Sequence, residues 1–214
     1  AKAILALADF HFRACRDDVL FNLPLHGLTP ALIAGLLFPA FRDARTWVDV
    51  VSRRLVNDCA NRPVATTDGY FGEGFGYQNV MQNIIFTNLR YLAASGRHVD
   101  PRLMRVSESS FDFASKIVRN DGNFPLVGDT GIKQSWEHRI YMHEMLHLAA
   151  AYFRRPDFKA AAGSPRCEEP MEYNLWLMGL DGIRWWENTP VPPRSERVRG
   201  PADFADSGFQ VLGD

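Results

Sequence analysis

The chain has little cysteine, no long apolar run and almost no net charge, and each shortage removes a class of protein. Cys15, Cys59 and Cys167 are widely spaced in 214 residues and form no CxxC pair. Neither a disulfide framework nor a zinc knuckle is indicated, and buried small hydrophobes are the expectation. No stretch of about 18 consecutive apolar residues occurs, so no transmembrane helix is expected. With 24 basic and 25 acidic residues, a formal charge of −1, no field over the whole surface holds a polyanion. Nucleic-acid binding by bulk charge is therefore not expected, while a local basic cleft stays open. The start lacks Met and a charged-then-apolar leader. Ala1-Lys-Ala-Ile-Leu-Ala-Leu-Ala-Asp-Phe reads as the middle of a helix, and the chain is expected to be cut from something longer.

What is present is helical spacing. Hydrophobic side chains make up 46% of the residues, enough for the core of one domain with a piece of a second. Ile4, Leu7, Phe10 and Ala14 recur at three and four residues, and a break is expected around Asn22 to Gly27. Thr29-Pro30 predicts the start of a second helix, with Ala31 to Phe38 apolar almost all round and so packed inside other helices. Ala44, Trp47, Val48, Val51, Leu55 and Cys59 predict an amphipathic third. A fourth, Asn79 to Ala94, carries Val80, Ile84, Ile85, Leu89 and Leu92 and stops at Ser95-Gly96. A fifth follows Asp100-Pro101 with Leu103, Phe111, Ala114, Ile117 and Val118. Ser135 to Phe153 and Glu168 to Gly179 predict a sixth and a seventh. Short connections imply antiparallel neighbours. Thr189-Pro-Val-Pro-Pro193 cannot continue a helix, and Phe204 to Leu212 reads as a turn and then an alternating strand.

Between the third and fourth helices lies Asp68-Gly-Tyr-Phe-Gly-Glu73-Gly-Phe-Gly-Tyr77-Gln78, with four glycines in eight residues. Such a loop lets a backbone approach something closely, and the following helix aims free N–H groups at whatever the loop receives. His26 at a loop-to-helix corner, Tyr77 at a loop-to-helix entry and Asp129 in a glycine-bounded loop are further polar candidates outside core faces.

His143-Glu144-Met-Leu-His147 matches HExxH, which on a helix sets two imidazoles one turn apart for zinc with a Glu beside the metal-bound water. Ala150 and Phe153 stand where a His-type extension needs Gly and His, leaving Glu168, Glu169 or Glu172 as a third ligand. The competing reading makes Arg139, His143, His147 and Arg154 a polar solvent or cleft stripe of an ordinary helix, opposite Met142, Met145, Leu146, Ala149 and Phe153.

The run His26-Gly27-Leu28, Ala34 to Phe41, Trp47, Asp68-Gly with Glu73 and Tyr77, and Asp121-Gly with Gly128-Asp129-Thr130 resembles the heparinase II/III-like polysaccharide lyases in the same order. Leu146 to Asp157 is similar to that family's last toroid helix, and Phe204 to Leu212 to the entry of its β-sandwich. The resemblance implies an all-α fold at residues 1–188, an incomplete (α/α) toroid of antiparallel helical hairpins. A linker at 189–203 follows, then a short β-strand stub at 204–214 that begins a truncated β-sandwich. It implies β-elimination on a uronate-containing polysaccharide without a cofactor, in a periplasmic or secreted protein. The partners are an acidic polysaccharide and the rest of the β-sandwich of the same parent chain, with neither nucleic acid nor membrane. In the family an Asn-His pair polarises the acid group and a Tyr serves as general acid or base. By position His26 takes the imidazole place and Tyr77 the phenol place.

Leu25 stands where the family has the Asn, which turns attention to Asn22 three residues earlier, and Gln78 stands where a His usually follows the Tyr. Glu73, Gln78, Asp129 and Arg139 are expected to contact sugar or shape the cleft. Two alternatives accompany the lyase: a zinc metallopeptidase through His143, Glu144 and His147, and a non-catalytic carbohydrate-binding relic of the lyase fold.

Overall fold

The computed structural model describes residues 1–18, 22–61, 66, 68–72, 74–118, 125, 136–163, 172–190 and 202–211. Those residues are mostly helical. In chain order come α1 (Lys2–Cys15), α2 (Asn22–Leu37), α3 (Ala44–Arg54) continued by a π-helical stretch (Leu55–Asn61), α4 (Phe75–Ala94), α5 (Pro101–Ile117), α6 (Trp136–Phe153), α7 (Pro156–Ala162) and α8 (Glu172–Asn188). A hairpin of β1 (Ala202–Phe204) and β2 (Phe209–Val211) follows, antiparallel with Ala202 opposite Val211. The strand expected within Phe204 to Leu212 is β2, and its partner β1 lies just before the turn, since a lone strand leaves its ladder groups unpaired. Two compact units divide the chain, residues 1–65 with 80–107 and residues 66–79 with 108–214.

In the first unit α2 pairs with α1 and with α3. Trp47, Val48, Val51, Leu55 and Cys59 are all buried, as the spacing predicts. The face of α1 differs from expectation: Ile4, Leu7 and Phe10 are exposed, and Ala8 and Phe12 are buried instead. The reason is the crossing with α2. A Cβ on Gly27 would lie 2.4 Å from Cys15 Sγ, so the two helices meet along the side of α1 that holds Ala8, Phe12 and Cys15, and Phe12 leans on Trp47 at 6.4 Å. The Arg54 guanidinium closes this corner by donating to the Arg16 and Asp18 carbonyls past the end of α1 while pairing with Asp58 at 2.7 Å.

The start of α2 is also corrected. It begins at Asn22, and Thr29-Pro30 lies inside it. Ala31, Leu32 and Ala34 are buried, whereas Leu23 and Leu37 near its two ends are exposed. The stop at Ser95-Gly96 and the start at Asp100-Pro101 agree with the sequence. The Arg97 N–H reaches the Leu92 carbonyl at 3.1 Å, and the Arg102 N–H donates to the Asp100 carboxylate at 2.8 Å, the latter an N-terminal cap.

In the second unit α6 packs against α7 and α8. Helix α7 was not foreseen; it opens on Pro156 in the first turn with Asp157 beside it. The predicted seventh helix starts at Glu172 rather than Glu168 and runs on to Asn188, broken at Gly179. Arg155, just before α7, donates to Asp157 at 2.8 Å and to Glu108 and Asp112 on α5 at 2.8 and 2.7 Å. Hydrogen bonds donated to Asp157 first, then to Glu108 and Asp112, hold its guanidinium pKa above the ordinary value against the opposing effect of desolvation. Arg155→Met keeps an unbranched apolar side chain but removes the guanidinium that lies 4.1 Å from the Phe158 ring centre and leaves three carboxylates facing one another. With the Arg155 side chain 28% exposed, the urea midpoint is expected to fall by the equivalent of about 2 kcal/mol. An unchanged midpoint would show that the cluster contributes nothing to α5–α7 docking.

Candidate functional site

The glycine loop belongs to the second unit, and its close approach is to its own chain. Gly69 has φ +96°, and a Cβ there would lie 2.2 Å from the Ser109 carbonyl oxygen of α5. Two residues on, the Phe71 N–H donates to Gln78 Oε1 at 2.7 Å, and Gln78 Nε2 donates back to the Gly69 carbonyl at 2.9 Å. Gln78, expected to touch sugar, is thus fully buried, with both ends of its amide spent inside the loop. It braces the strand-like run that leads into α4. The Gln78 N–H closes the first turn on the Gly74 carbonyl at 2.8 Å.

Two tyrosines ride on this segment and have opposite environments. Tyr70 sits in an aromatic cluster, 5.8 Å from Phe75 and 5.4 Å from Phe113, with Phe113 4.6 Å from Phe204 of the hairpin. Burial pushes its phenol pKa up. Tyr77, three residues into α4, is only half-buried. Of the two phenols it is the more accessible.

The loop is clamped to the C-terminal hairpin by a polar knot that no local sequence pattern announces. The Asp68 carboxylate accepts the Ser207 N–H at 3.0 Å and the hydroxyls of Ser207 and Thr66, and the Tyr70 N–H donates to Thr66 Oγ1 at 3.0 Å. Burial raises the Asp68 pKa, but the hydrogen bonds from Ser207, Thr66 and the Asp206 backbone outweigh it, and the net value lies below the ordinary carboxylate range. A carboxylate whose folded pKa is depressed stabilises the fold above its unfolded value, near 3.9, and that contribution is lost as pH falls toward the folded value. The gap in urea midpoint between the natural chain and Asp68→Asn is therefore expected to be present at pH 7 and to close below about pH 4. A gap that stays constant with pH would show that the ionised carboxylate is not what holds the hairpin.

His26 belongs to the first unit. It stands exposed on α2, within the helix rather than at a corner before it, because α2 begins at Asn22. Partial desolvation lowers its imidazole pKa below the ordinary value, so the ring is neutral at pH 7 and offers one N–H donor and one acceptor. Asn22 is the first residue of α2 and Arg139 lies within α6; both side chains, and the whole of Glu73 and Asp129, lie outside the described residues.

The HExxH helix departs from the expected solvent or cleft stripe. His143, Glu144 and His147 are all buried, because residues 143–151 of α6 are enclosed on every side. The His147 ring meets Trp186 of α8 edge to face at 4.7 Å. Lys159 of α7 lies over the same indole at 4.4 Å and donates to the Trp186 and Thr189 carbonyls. Among the described residues no group of three or more His, Cys, Asp or Glu is placed to hold a metal ion. The proposed third ligands Glu168 and Glu169, and the side chain of Glu172, lie outside the described residues. Among the described residues no helix is long and apolar enough to cross a membrane.

No family model, curated protein or solved structure matches this chain.

Proposed function

We propose that the chain is the helical, toroid-forming part of a lyase that cuts uronate-containing polysaccharide by β-elimination, with Tyr77 as general acid or base and His26 assisting at the carboxylate. The observation that carries this reading is the half-buried phenol of Tyr77 in the first turn of α4, on a loop braced by Gln78 and clamped by Asp68. The sequential pairing of α1 with α2 and α2 with α3 supports a toroid of helical hairpins.

In such a reaction the proton beside the uronate carboxylate leaves, its electron pair forms the new carbon–carbon double bond, and the glycosidic carbon–oxygen bond breaks. The departing oxygen then takes a proton. That sequence needs a donor to the carboxylate, a base, and an acid for the leaving group. A neutral His26 can donate an N–H to the carboxylate as negative charge grows on it. A phenol serves readily as the acid, and as a base it needs donors or positive charge beside it. In this reading the polysaccharide is the partner, the β-sandwich of the parent chain supplies further groups, and the protein acts in the periplasm or outside the cell.

The burial of His143, Glu144 and His147 favours this reading over a zinc peptidase, whose metal-bound water must meet a peptide substrate. The test is ultraviolet absorbance from the new double bond when the full parent protein is incubated with heparan sulfate, alginate and related uronate polymers. Growth of that absorbance is expected. Silence on every polymer, with the polymers still bound, would replace the lyase by the carbohydrate-binding relic.

A further inference from the structure

Helix α2 contains a gap in its hydrogen-bond ladder at the carbonyl of His26. Pro30 lies inside the helix and has no N–H to give to the carbonyl four residues back, that of His26. Its neighbour Thr29 turns its hydroxyl back along the helix and donates to the Leu25 carbonyl at 3.0 Å. The same Thr29 oxygen accepts an N–H from the Asn88 amide of α4 at 2.9 Å, and the Asn88 amide nitrogen also donates to the Ile84 carbonyl at 2.9 Å. Both amide hydrogens are engaged, which leaves the Asn88 side chain one orientation.

Asn88 is fully buried, and its neighbours along α4, Ile84, Ile85 and Leu89, are buried as well. An amide in that setting costs more than an aliphatic side chain unless its bonds hold something in place. What they hold is the helical turn from Leu25 to Thr29. Proline loosens this turn and threonine back-bonding bends it, so without a restraint the helix would hinge there. His26 lies within that turn.

We propose that Thr29 and Asn88 are positioning residues that fix the orientation of the His26 ring by riveting its turn of α2 to α4. The inference rests on the reading of His26 as the group that faces the uronate carboxylate. Neither residue touches substrate, and a ring held at one angle meets the carboxylate without a search.

The experiment compares Thr29→Val, which keeps shape and removes the hydroxyl, with Thr29→Ser, which keeps the hydroxyl, in the full chain. The His26 ring signal is followed in proton–carbon correlation spectra at fixed pH, identified by its loss in His26→Gln, and turnover is measured on uronate polymer. Thr29→Val is expected to shift or broaden the His26 signal and to lower kcat roughly tenfold or more with little change in KM. Asn88→Ala is expected to do the same, and Thr29→Ser to restore both. A Thr29→Val protein that loses stability but keeps its His26 signal and kcat would overturn the proposal. Should the natural chain show no turnover, the His26 signal alone decides, so failure of the lyase reading and failure of the rivet are told apart.

Discussion

Gly69→Ala is expected to destabilise the second unit by at least about 3 kcal/mol, and the loss is expected to spread to Tyr77. Two separate costs add. The backbone at Gly69 has φ +96°, where an L side chain is strained by roughly 1–2 kcal/mol. The new Cβ would also lie 2.2 Å from the Ser109 carbonyl oxygen, 2.4 Å from its carbon and 2.7 Å from the Ser110 nitrogen. These are main-chain atoms of α5 and cannot step aside as the end of a side chain would. Moving the loop instead would pull the Gly69 carbonyl off Gln78 Nε2 and the Phe71 N–H off Gln78 Oε1, leaving a buried amide unpaired. Gly72 supplies the control, since a Cβ there meets nothing within 4 Å, and Gly72→Ala is expected to change stability by no more than about 0.5 kcal/mol. Urea unfolding of both variants checks the pair. Equal, small effects would mean that the loop does not rest on α5.

The same contact shows where the sequence is legible. Four glycines in eight residues say that a backbone passes close to something, and they do not say what. The neighbour is Ser109, 40 positions later, which no local pattern connects to the loop. Helix α3 was legible because Trp47, Val48, Val51, Leu55 and Cys59 make one apolar stripe among polar residues, and α5 because Asp100-Pro101 is both cap and first turn. Helix α1 was not, because Ala, Leu and Ile surround it and the periodicity selects no single face; the crossing at Gly27 and Cys15 does the selecting. The start of α2 was misplaced because Thr-Pro is an ordinary entry signal, and one of the two bonds made by the Thr29 hydroxyl inside the helix comes from Asn88, 59 residues away. Helix α7 did carry a signal, Pro156 followed by Asp157, but its seven residues fall short of the window in which helical spacing can be read. In α6 the polar residues of HExxH read as a wet face, whereas among the described residues α7 and α8 pack against that helix and His147 meets Trp186 of α8. Of the candidate site, the placement of Tyr77 at the loop-to-helix junction was legible, whereas the knot of Thr66, Asp68 and Ser207 joins positions 139 residues apart and left only its Asp-Gly turn to be seen.

Tyr77→Phe separates chemistry from scaffolding. The change removes one oxygen from a half-buried side chain and leaves the ring that the first turn of α4 carries, so the urea midpoint is expected to stay within about 0.5 kcal/mol of the natural chain. Turnover on uronate polymer, in contrast, is expected to fall by roughly 10²–10⁴, the range for loss of a positioned proton-transfer group. Under the proposed lyase mechanism the loss is expected in kcat, because there the phenolic proton matters as the glycosidic oxygen departs and contributes little to holding the ground-state polymer. Tyr70→Phe gives the contrast: its ring is packed against Phe75 and Phe113, so its substitution is expected to alter stability and leave kcat in place. A Tyr77→Phe protein that keeps kcat within a few-fold would remove the phenol from the mechanism. A fall in affinity with kcat unchanged would make Tyr77 a sugar contact, and the proton would then have to come from another group at the mouth of the loop.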